Sequence, residues 1–319
     1  MGVVRLGVLG CAEIARRRML PAFSRTPGAV VTAVASRDAA KAEKVAAEFG
    51  GDPVTGYAAL LERDDVDAVY VPLPAAMHES WVEAALRAGK HVLAEKPVTL
   101  DPAATARLAE LARAHHLVLM ENVMFVHHRQ HATVAELVRD GAIGELRGFE
   151  ATFTIPPLAD DDIRYRADLG GGALSDVGVY PVRAALHLLG DDLTVCGAVL
   201  AAGAGRRVDT RGAALLRTGA GVVATLVFGM EHSYRSSYTL TGSAGRITLD
   251  RAFTPPADHQ PVLHLDRNGR VEQRRLDPDD QVANTVAAFV AAVSAGGPTA
   301  LDASLAQIRL LDDIRRKAS

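Results

Sequence analysis

Along the first third of the chain, short apolar runs alternate with stretches whose apolar residues recur at helical spacing. Residues 3–9, 30–35, 68–72, 91–94 and 117–120 are near-continuous apolar runs, the pattern of strands buried on both faces. Between them, residues 14–23, 39–49, 57–61, 79–88 and 102–114 carry the helical period. Asp38 and Asp101 stand where helix N-caps belong, and Gly50 and Gly89 stand where helices stop. This alternation predicts a doubly wound, parallel sheet of the Rossmann type. After about residue 122 the pattern changes. One helix is expected over 132–139, ended by Gly141. Period-two alternation then marks strands at 146–154, 213–217, 222–228, 238–241, 246–249, 262–265 and 271–275. Asn268-Gly269 predicts a hairpin, because a type I′ turn needs positive φ at both central residues. The stretch 219–221 joins another pair, and helices are expected over 182–189, 282–294 and 303–316. The expectation is an α/β plus α+β chain: a Rossmann domain at 1–122, then a domain at 123–319 with a large, mostly antiparallel open sheet covered by helices on one face.

Composition narrows the class. The chain has 319 residues, 49% hydrophobic and 23% charged, as in a soluble globular protein. A net charge of -3 gives no reason to expect nucleic acid as a partner. Two cysteines, Cys11 and Cys196, cannot make a disulfide framework, which fits a reducing cytoplasm. No run is long enough to cross a membrane. The start, from Met1 to Leu6, runs directly into the first apolar stretch without a signal-peptide core, and Leu6 argues against myristoylation. A soluble, cytoplasmic protein is expected.

The chemistry gathers at the carboxyl ends of the predicted strands, where open α/β sheets form their ligand crevice. Glu95-Lys96-Pro97 follows the run at 91–94 and places an ammonium group there. Near the amino terminus, Gly10-Cys11-Ala12-Glu13-Ile14-Ala15 reads as a strand turning into a helix, where free N–H groups and the helix dipole favour a pyrophosphate. Alanine replaces glycine at positions 12 and 15, and Cys11 reads as a small turn filler. At the end of the second strand, an acidic residue would select NAD by binding the ribose hydroxyl. This chain has Ser36-Arg37 instead, a hydroxyl and a guanidinium suited to a 2′-phosphate, while Asp38 fits an N-cap. The expected cofactor is therefore NADP. Leu73 and His78 follow the next strand end, where prolines 72 and 74 force an extended exit along the nicotinamide ribose.

Later in the chain, Gly170-Gly171-Gly172 allows close backbone approach ahead of Asp176 and Tyr180, which lie one helical turn apart. With Lys96 they suggest an Asp–Lys–Tyr cluster in a cleft between domains. His127 and His131 are four apart, but a closed metal site needs more ligands, and none is expected. His115-His116 reads as a helix end, Asp160-Asp161-Asp162 as a solvated loop and Arg206-Arg207 as a surface turn.

These motifs, taken in order, resemble the glucose-fructose oxidoreductase / inositol dehydrogenase / MocA family. The Cys-Ala-x-Ile-Ala turn, followed by Arg16-Arg17-Arg18 and Leu20-Pro21, is more narrowly similar to sugar 3-ketoreductases acting on nucleotide-linked deoxysugars in antibiotic pathways. The resemblance implies that residues 1–122 bind NADP and that residues 123–319 bind substrate and form a homo-oligomer, dimer or tetramer. It implies cofactor contacts from Gly10, Cys11, Ala12, Ile14 and Ala15, from Ser36 and Arg37, and from Leu73 and His78. Glu95, Lys96, Pro97, Arg164 and Asp176 would complete that set. Lys96 handles a proton in the family, often beside a cis Lys-Pro bond. Tyr180 stands where inositol dehydrogenases have histidine, and tyrosine there fits both ketoreductases and dihydrodiol dehydrogenases. Sugar and nucleotide contacts are expected from Lys96, Tyr180, Tyr234 and Thr254. The implied reaction is NADPH-dependent reduction at C3 of a dTDP-linked 3,4-diketo-2,6-dideoxyhexose, with the proton coming from Tyr180 or Lys96. Two alternatives stand beside it: a dehydrogenase of a free polyol, sugar or dihydrodiol, and a non-catalytic nucleotide-sensing regulator. Retention of Lys96, Asp176 and Tyr180 argues against the regulator.

Overall fold

The computed structural model describes residues 2–297 and 301–318. The chain forms two compact units, Met1–Val123 with Val282–Leu305, and Met124–Gln281 with Ala306–Ser319.

The first unit is built on six strands, β1 (Val4–Leu9), β2 (Ala29–Ser36), β3 (Asp52–Thr55), β4 (Ala68–Val71), β5 (His91–Glu95) and β6 (Leu119–Asn122). They are parallel and ordered β3-β2-β1-β4-β5-β6, the Rossmann arrangement. Leu6, Val8, Val34, Val69, Val92 and Leu93 are fully buried, which explains why these strands read as unbroken apolar runs. Helices α1 (Leu20–Arg25), α2 (Ala39–Phe49), α3 (Tyr57–Leu61), α4 (Ala75–Arg87) and α5 (Pro102–Ala114) connect them. Both expected caps form: Asp38 accepts from the Lys41 N–H at 3.4 Å, and Asp101 from the Ala104 N–H at 2.7 Å.

Two local features differ from the sequence expectation. Strand β3 was not anticipated, because Asp52-Pro53-Val54-Thr55 is polar and largely exposed; as an edge strand bonded only to β2 it needs no apolar run. Residues 14–23 do not form one α-helix. A wide π-helical turn, Ala15–Met19, precedes α1.

The second unit carries eight strands: β7 (Leu146–Thr154), β8 (Leu193–Ala201), β9 (Arg211–Thr218), β10 (Val223–Gly229), β11 (Arg235–Gly242), β12 (Arg246–Asp250), β13 (Val262–Arg267) and β14 (Arg270–Arg275). Their order is β14-β13-β12-β11-β7-β10-β9-β8, and every neighbouring pair is antiparallel except β7 with β10. Asn268 and Gly269 both have positive φ, 54° and 79°, as the hairpin requires. Strand β8 was not anticipated. It is an edge strand whose register shifts between Val195 and Gly197, so its sequence lacks clean alternation. The opposite edge, β14, is polar and exposed, and Glu272 is paired with Arg267 and Arg274. Helices α6 (Arg129–Arg139) and α7 (Val179–Leu189) belong to this unit, and α7 packs on β7 and β10 at the middle of the sheet. A second π-helical turn, Leu174–Gly178, leads into α7. The chain ends with α8 (Gln281–Ala295) and α9 (Asp302–Lys317).

The core of the second unit contains a polar centre. His131 on α6 is fully buried; its Nε2–H donates to the Ala252 carbonyl at 3.0 Å, and the Tyr238 hydroxyl donates to its Nδ1 at 2.9 Å. Burial, reinforced by His187 and His128, holds the His131 pKa well below its ordinary value. Burial likewise lowers His78, His91, His127, His128 and His187. A histidine depressed in the folded state takes up its proton more readily when unfolded. Its contribution to stability is therefore complete above the unfolded value of about 6.5 and is lost as pH falls below it. We expect the urea midpoint to be level above about pH 7.5 and to drop between about pH 7 and 5.5, with a shallower drop in His131→Gln. A midpoint that stays level or rises on acidification would contradict this account.

Candidate active site

In the first unit, the turn after β1 is shaped by Gly10. Its φ is +120°, and a Cβ there would lie 3.0 Å from Leu73 Cδ2, so only glycine suits the position. The Gly10 N–H donates to the Ala35 carbonyl at 2.9 Å, tying the turn to the end of β2. The π-helical turn that follows has no side-chain cap, which leaves N–H groups near Ala12, Ile14 and Ala15 suited to an anion. These features fit a dinucleotide pyrophosphate.

Beside this turn, Ser36 is buried and its Oγ accepts from the Asp38 N–H at 3.1 Å, while Arg37 is exposed. Asp38 faces its own helix as a cap and is not presented as a ribose ligand. Cys11 bonds the Lys41 carbonyl at 3.6 Å. Burial pushes its thiol up, opposed by a hydrogen bond with Ser36 and by the charges of Arg16 and Lys41. Arg16, whose guanidinium pairs with Glu48 at 2.9 Å, and Lys41 thus both act on the Cys11 thiol, which bonds Ser36. Sequence reading passed over both. Arg16 lay in a basic run read only as a family mark, and Lys41 lay in the body of a helix.

At the ends of β4 and β5, His78 is 1% exposed. Its Nε2 lies 2.7 Å from the Leu73 carbonyl oxygen and its Nδ1 2.8 Å from that of Pro97; the neutral ring donates to one of them and the imidazolium to both. Burial lowers its basicity, and the two carbonyls act in the opposite sense. The ring therefore lies between the loop after β4 and the Lys96-Pro97 loop. Glu95 is turned into the sheet, where Oε1 accepts from the Tyr70 hydroxyl and from Asn122 Nδ2, both at 2.6 Å. Lys96 is half-buried, and its bond to Pro97 is cis.

In the second unit, Arg164 and Asp176 meet: Arg164 Nε donates to Asp176 Oδ2 at 2.8 Å, and Asp162 pairs with the same guanidinium. The charge of Asp176, then that of Asp162, raises the Arg164 pKa against the effect of burial. Gly171 lies against the Arg164 and Arg166 carbonyls, so the close approach expected of the glycine run is made by the chain to itself. Tyr180 is half-buried with its ring against three phenyls, Phe153 at 4.7 Å, Phe253 at 5.9 Å and Phe125 at 6.1 Å between centroids. These rings fix the plane of the phenol. The Tyr234 and Thr254 hydroxyls lie 3.3 Å apart, and Tyr234 is 44% exposed. Among the described residues, no group of three or more His, Cys, Asp or Glu side chains is placed to hold a metal ion.

A family model described as "Oxidoreductase family, NAD-binding Rossmann fold" matches residues 4–123, and one described as "GFO/IDH/MocA C-terminal domain" matches residues 131–248. The chain is 53% identical over 317 residues to a dTDP-3,4-didehydro-2,6-dideoxy-alpha-D-glucose 3-reductase of Actinomadura kijaniata, covering 99% of this chain and 96% of that protein. It is 55% identical over 326 residues to the Streptomyces violaceoruber protein of the same name, covering 99% and 95%. A D-xylose 1-dehydrogenase (NADP(+)) of Haloferax volcanii is 35% identical over 326 residues, covering 98% and 96%. Among solved structures, the chain is similar to KijD10, a 3-ketoreductase from Actinomadura kijaniata in complex with NADP and TDP-benzene, with a TM-score of 0.97 and 53% identity over 99% of this chain and 98% of that one. By its sequence, its two matched domains and its strand order, this chain belongs to the Gfo/Idh/MocA family of oxidoreductases.

Proposed function

We propose that this protein uses NADPH to reduce the C3 keto group of a dTDP-linked 3,4-diketo-2,6-dideoxyhexose in deoxysugar biosynthesis. What carries the reading is identity of 53–55% across nearly the whole chain to dTDP-sugar 3-reductases. The D-xylose dehydrogenase stands at 35%, so oxidation of a free sugar is the second reading. The first unit takes the cofactor and the second takes the sugar nucleotide. The Gly10 turn, with Cys11, Ala12, Ile14 and Ala15, cradles the pyrophosphate. Ser36 and Arg37 take the 2′-phosphate. Leu73, Lys96, Pro97 and the backbone of Glu95 border the nicotinamide ribose, with His78 between two of their loops. Arg164 and Asp176 complete the cofactor contacts as a pair, and Tyr234 and Thr254 contact the substrate.

Reduced nicotinamide, when bound, supplies the hydride to C3. The chain supplies the proton to the oxygen, from Tyr180 or from Lys96, so that full negative charge does not build up there. The Lys96 ammonium also stabilises that charge by its own field. A phenol has an ordinary pKa near 10, so Tyr180 donates only from within hydrogen-bond reach, and its three phenyl neighbours keep it in one orientation.

The reading is tested by offering the purified protein dTDP-3,4-diketo-2,6-dideoxyglucose with NADPH and, separately, D-xylose with NADP. We expect turnover of the first pair. Turnover of xylose alone would favour the second reading, and tight nucleotide binding with neither turnover would favour the regulator. Arg37→Asp replaces a phosphate partner with a repelling charge and should weaken NADPH binding at least about tenfold while leaving NADH binding little changed. Equal wild-type affinity for the two cofactors, by fluorescence titration, would remove this assignment. Lys96→Ala should lower kcat by about a hundredfold or more in a folded protein. Tyr180→Phe separates the two proton donors. A loss of similar size with normal NADPH binding makes the phenol the donor; a loss of only a few-fold, roughly within the reach of orientation alone, makes Lys96 the donor.

A further inference from the structure

We propose that Asp209 is a positioning residue for Tyr180, holding from a distant loop the start of the helical segment that carries Asp176 and the phenol. The proposal rests on the ketoreductase reading only for its kinetic consequence. The segment begins at Ala173, whose own side chain makes no cap, and the π-helical turn Leu174–Gly178 follows at once. A helix start without a cap leaves N–H groups unsatisfied. Here the bonds come from 35 residues further along: Asp209 Oδ2 accepts from the Leu174 N–H at 2.7 Å. The Asp209 carbonyl accepts from the Ala173 N–H, also at 2.7 Å. Side chain and backbone of one residue thus clamp two successive N–H groups.

The clamp is fixed at both ends. On the Asp209 side, the Thr210 N–H donates to the Ala201 carbonyl at 2.9 Å, and the Thr210 carbonyl accepts from the Met230 N–H at 2.8 Å. These bonds lock the loop between β8 and β9 to the neighbouring strands. On the helix side, Gly172 has a φ of +125°, and a Cβ there would sit 2.5 Å from Asp209 Oδ1. The third glycine of the run is thereby explained: it leaves room for this carboxylate. Asp209 is half-buried, and burial pushes its carboxyl up while the Leu174 N–H opposes that shift. A carboxylate kept in such a place for its hydrogen bonds sets the register of what it holds. From Leu174 the chain runs through the π-helical turn directly into α7 and Tyr180, with Gly178 close against the Phe228 ring. A small displacement of a reacting group is enough to cost a large part of a catalytic rate.

The test compares full-length Asp209→Ala, Asp209→Asn and Gly172→Ala, the last of which drives a methyl group into the carboxylate. With tyrosines labelled with carbon-13 at Cζ, the Tyr180 resonance is identified by its disappearance in Tyr180→Phe. We expect it to move in D209A and G172A and to keep its place in D209N, whose amide oxygen still accepts from Leu174. We expect kcat to fall in D209A by no more than it falls in Tyr180→Phe, and D209N to recover most of that rate. In the Tyr180→Phe background D209A should add less than about a twofold further loss, because a residue that acts through Tyr180 has little left to act on. If D209A does not fold, the same readings are taken on G172A. An unmoved resonance in a folded D209A or G172A overturns the proposal, as does a loss that multiplies in full on the Tyr180→Phe background. If the wild-type protein does not reduce the diketosugar, the functional reading fails while the resonance still decides the role of Asp209.

Discussion

The cofactor half of this protein depends on a reversal of strand order. β1 lies between β2 and β4, so the chain leaves it toward one side of the sheet and returns on the other. Loops that leave neighbouring parallel strands in opposite directions cannot cover the strand ends between them, and a crevice results. The residues there have little choice. Gly10 suits its place because its φ of +120° strains any other residue, and Leu73, from the far side of the reversal, crowds the space a side chain would take. Ser36 ends the next strand and Lys96 follows β5, so these positions along one edge are set by the sheet and not by the ligand. What the chain selects is their chemistry: hydroxyl and guanidinium at one end, an ammonium group at the other.

A second layer of buried polar groups holds this edge in place. Tyr70 and Asn122 both donate to Glu95, next to Lys96 in the chain, and the His78 ring sits between the Leu73 and Pro97 carbonyls. Glu121 adds a further tie, accepting from the Val98 N–H at 3.2 Å and from the Ser304 hydroxyl at 2.7 Å. Buried polar groups are costly unless paired, so such networks persist where a fixed geometry repays them. In the other unit the Phe125, Phe153 and Phe253 rings do comparable work by packing.

Much of this was legible in the sequence, for physical reasons. Buried parallel strands announce themselves as apolar runs, and Asp38 and Asp101 marked their helix starts because capping is local. Lys96, Asp176 and Tyr180 could be picked out because their residue types are unusual beside strand ends and glycine runs. The edge strands Asp52–Thr55 and Leu193–Ala201 were not legible, since one is polar and the other has a broken register. Contacts between distant parts of the chain were also hidden. Nothing near Gly172 in sequence points to Asp209, and nothing near Glu95 points to Tyr70 or Asn122. The glycine run signalled a close approach without naming its partner.

The eight-stranded sheet also has two unlike borders. On one side runs the hairpin strand Arg270–Arg275, solvent-exposed and carrying Arg274 and Arg275 with Glu272 held between arginines. On the other, the strand Leu193–Ala201 breaks step beside Cys196. An open edge offers bare amide and carbonyl groups to any extended chain that meets it. A stranger adding to the charged border would have to lie against that arginine-rich row, and one adding to the irregular border would lose step after a few residues. Both ends of the sheet are thus poor templates for further growth, and a wide, open β-layer of this kind is guarded against aggregation without being closed into a barrel.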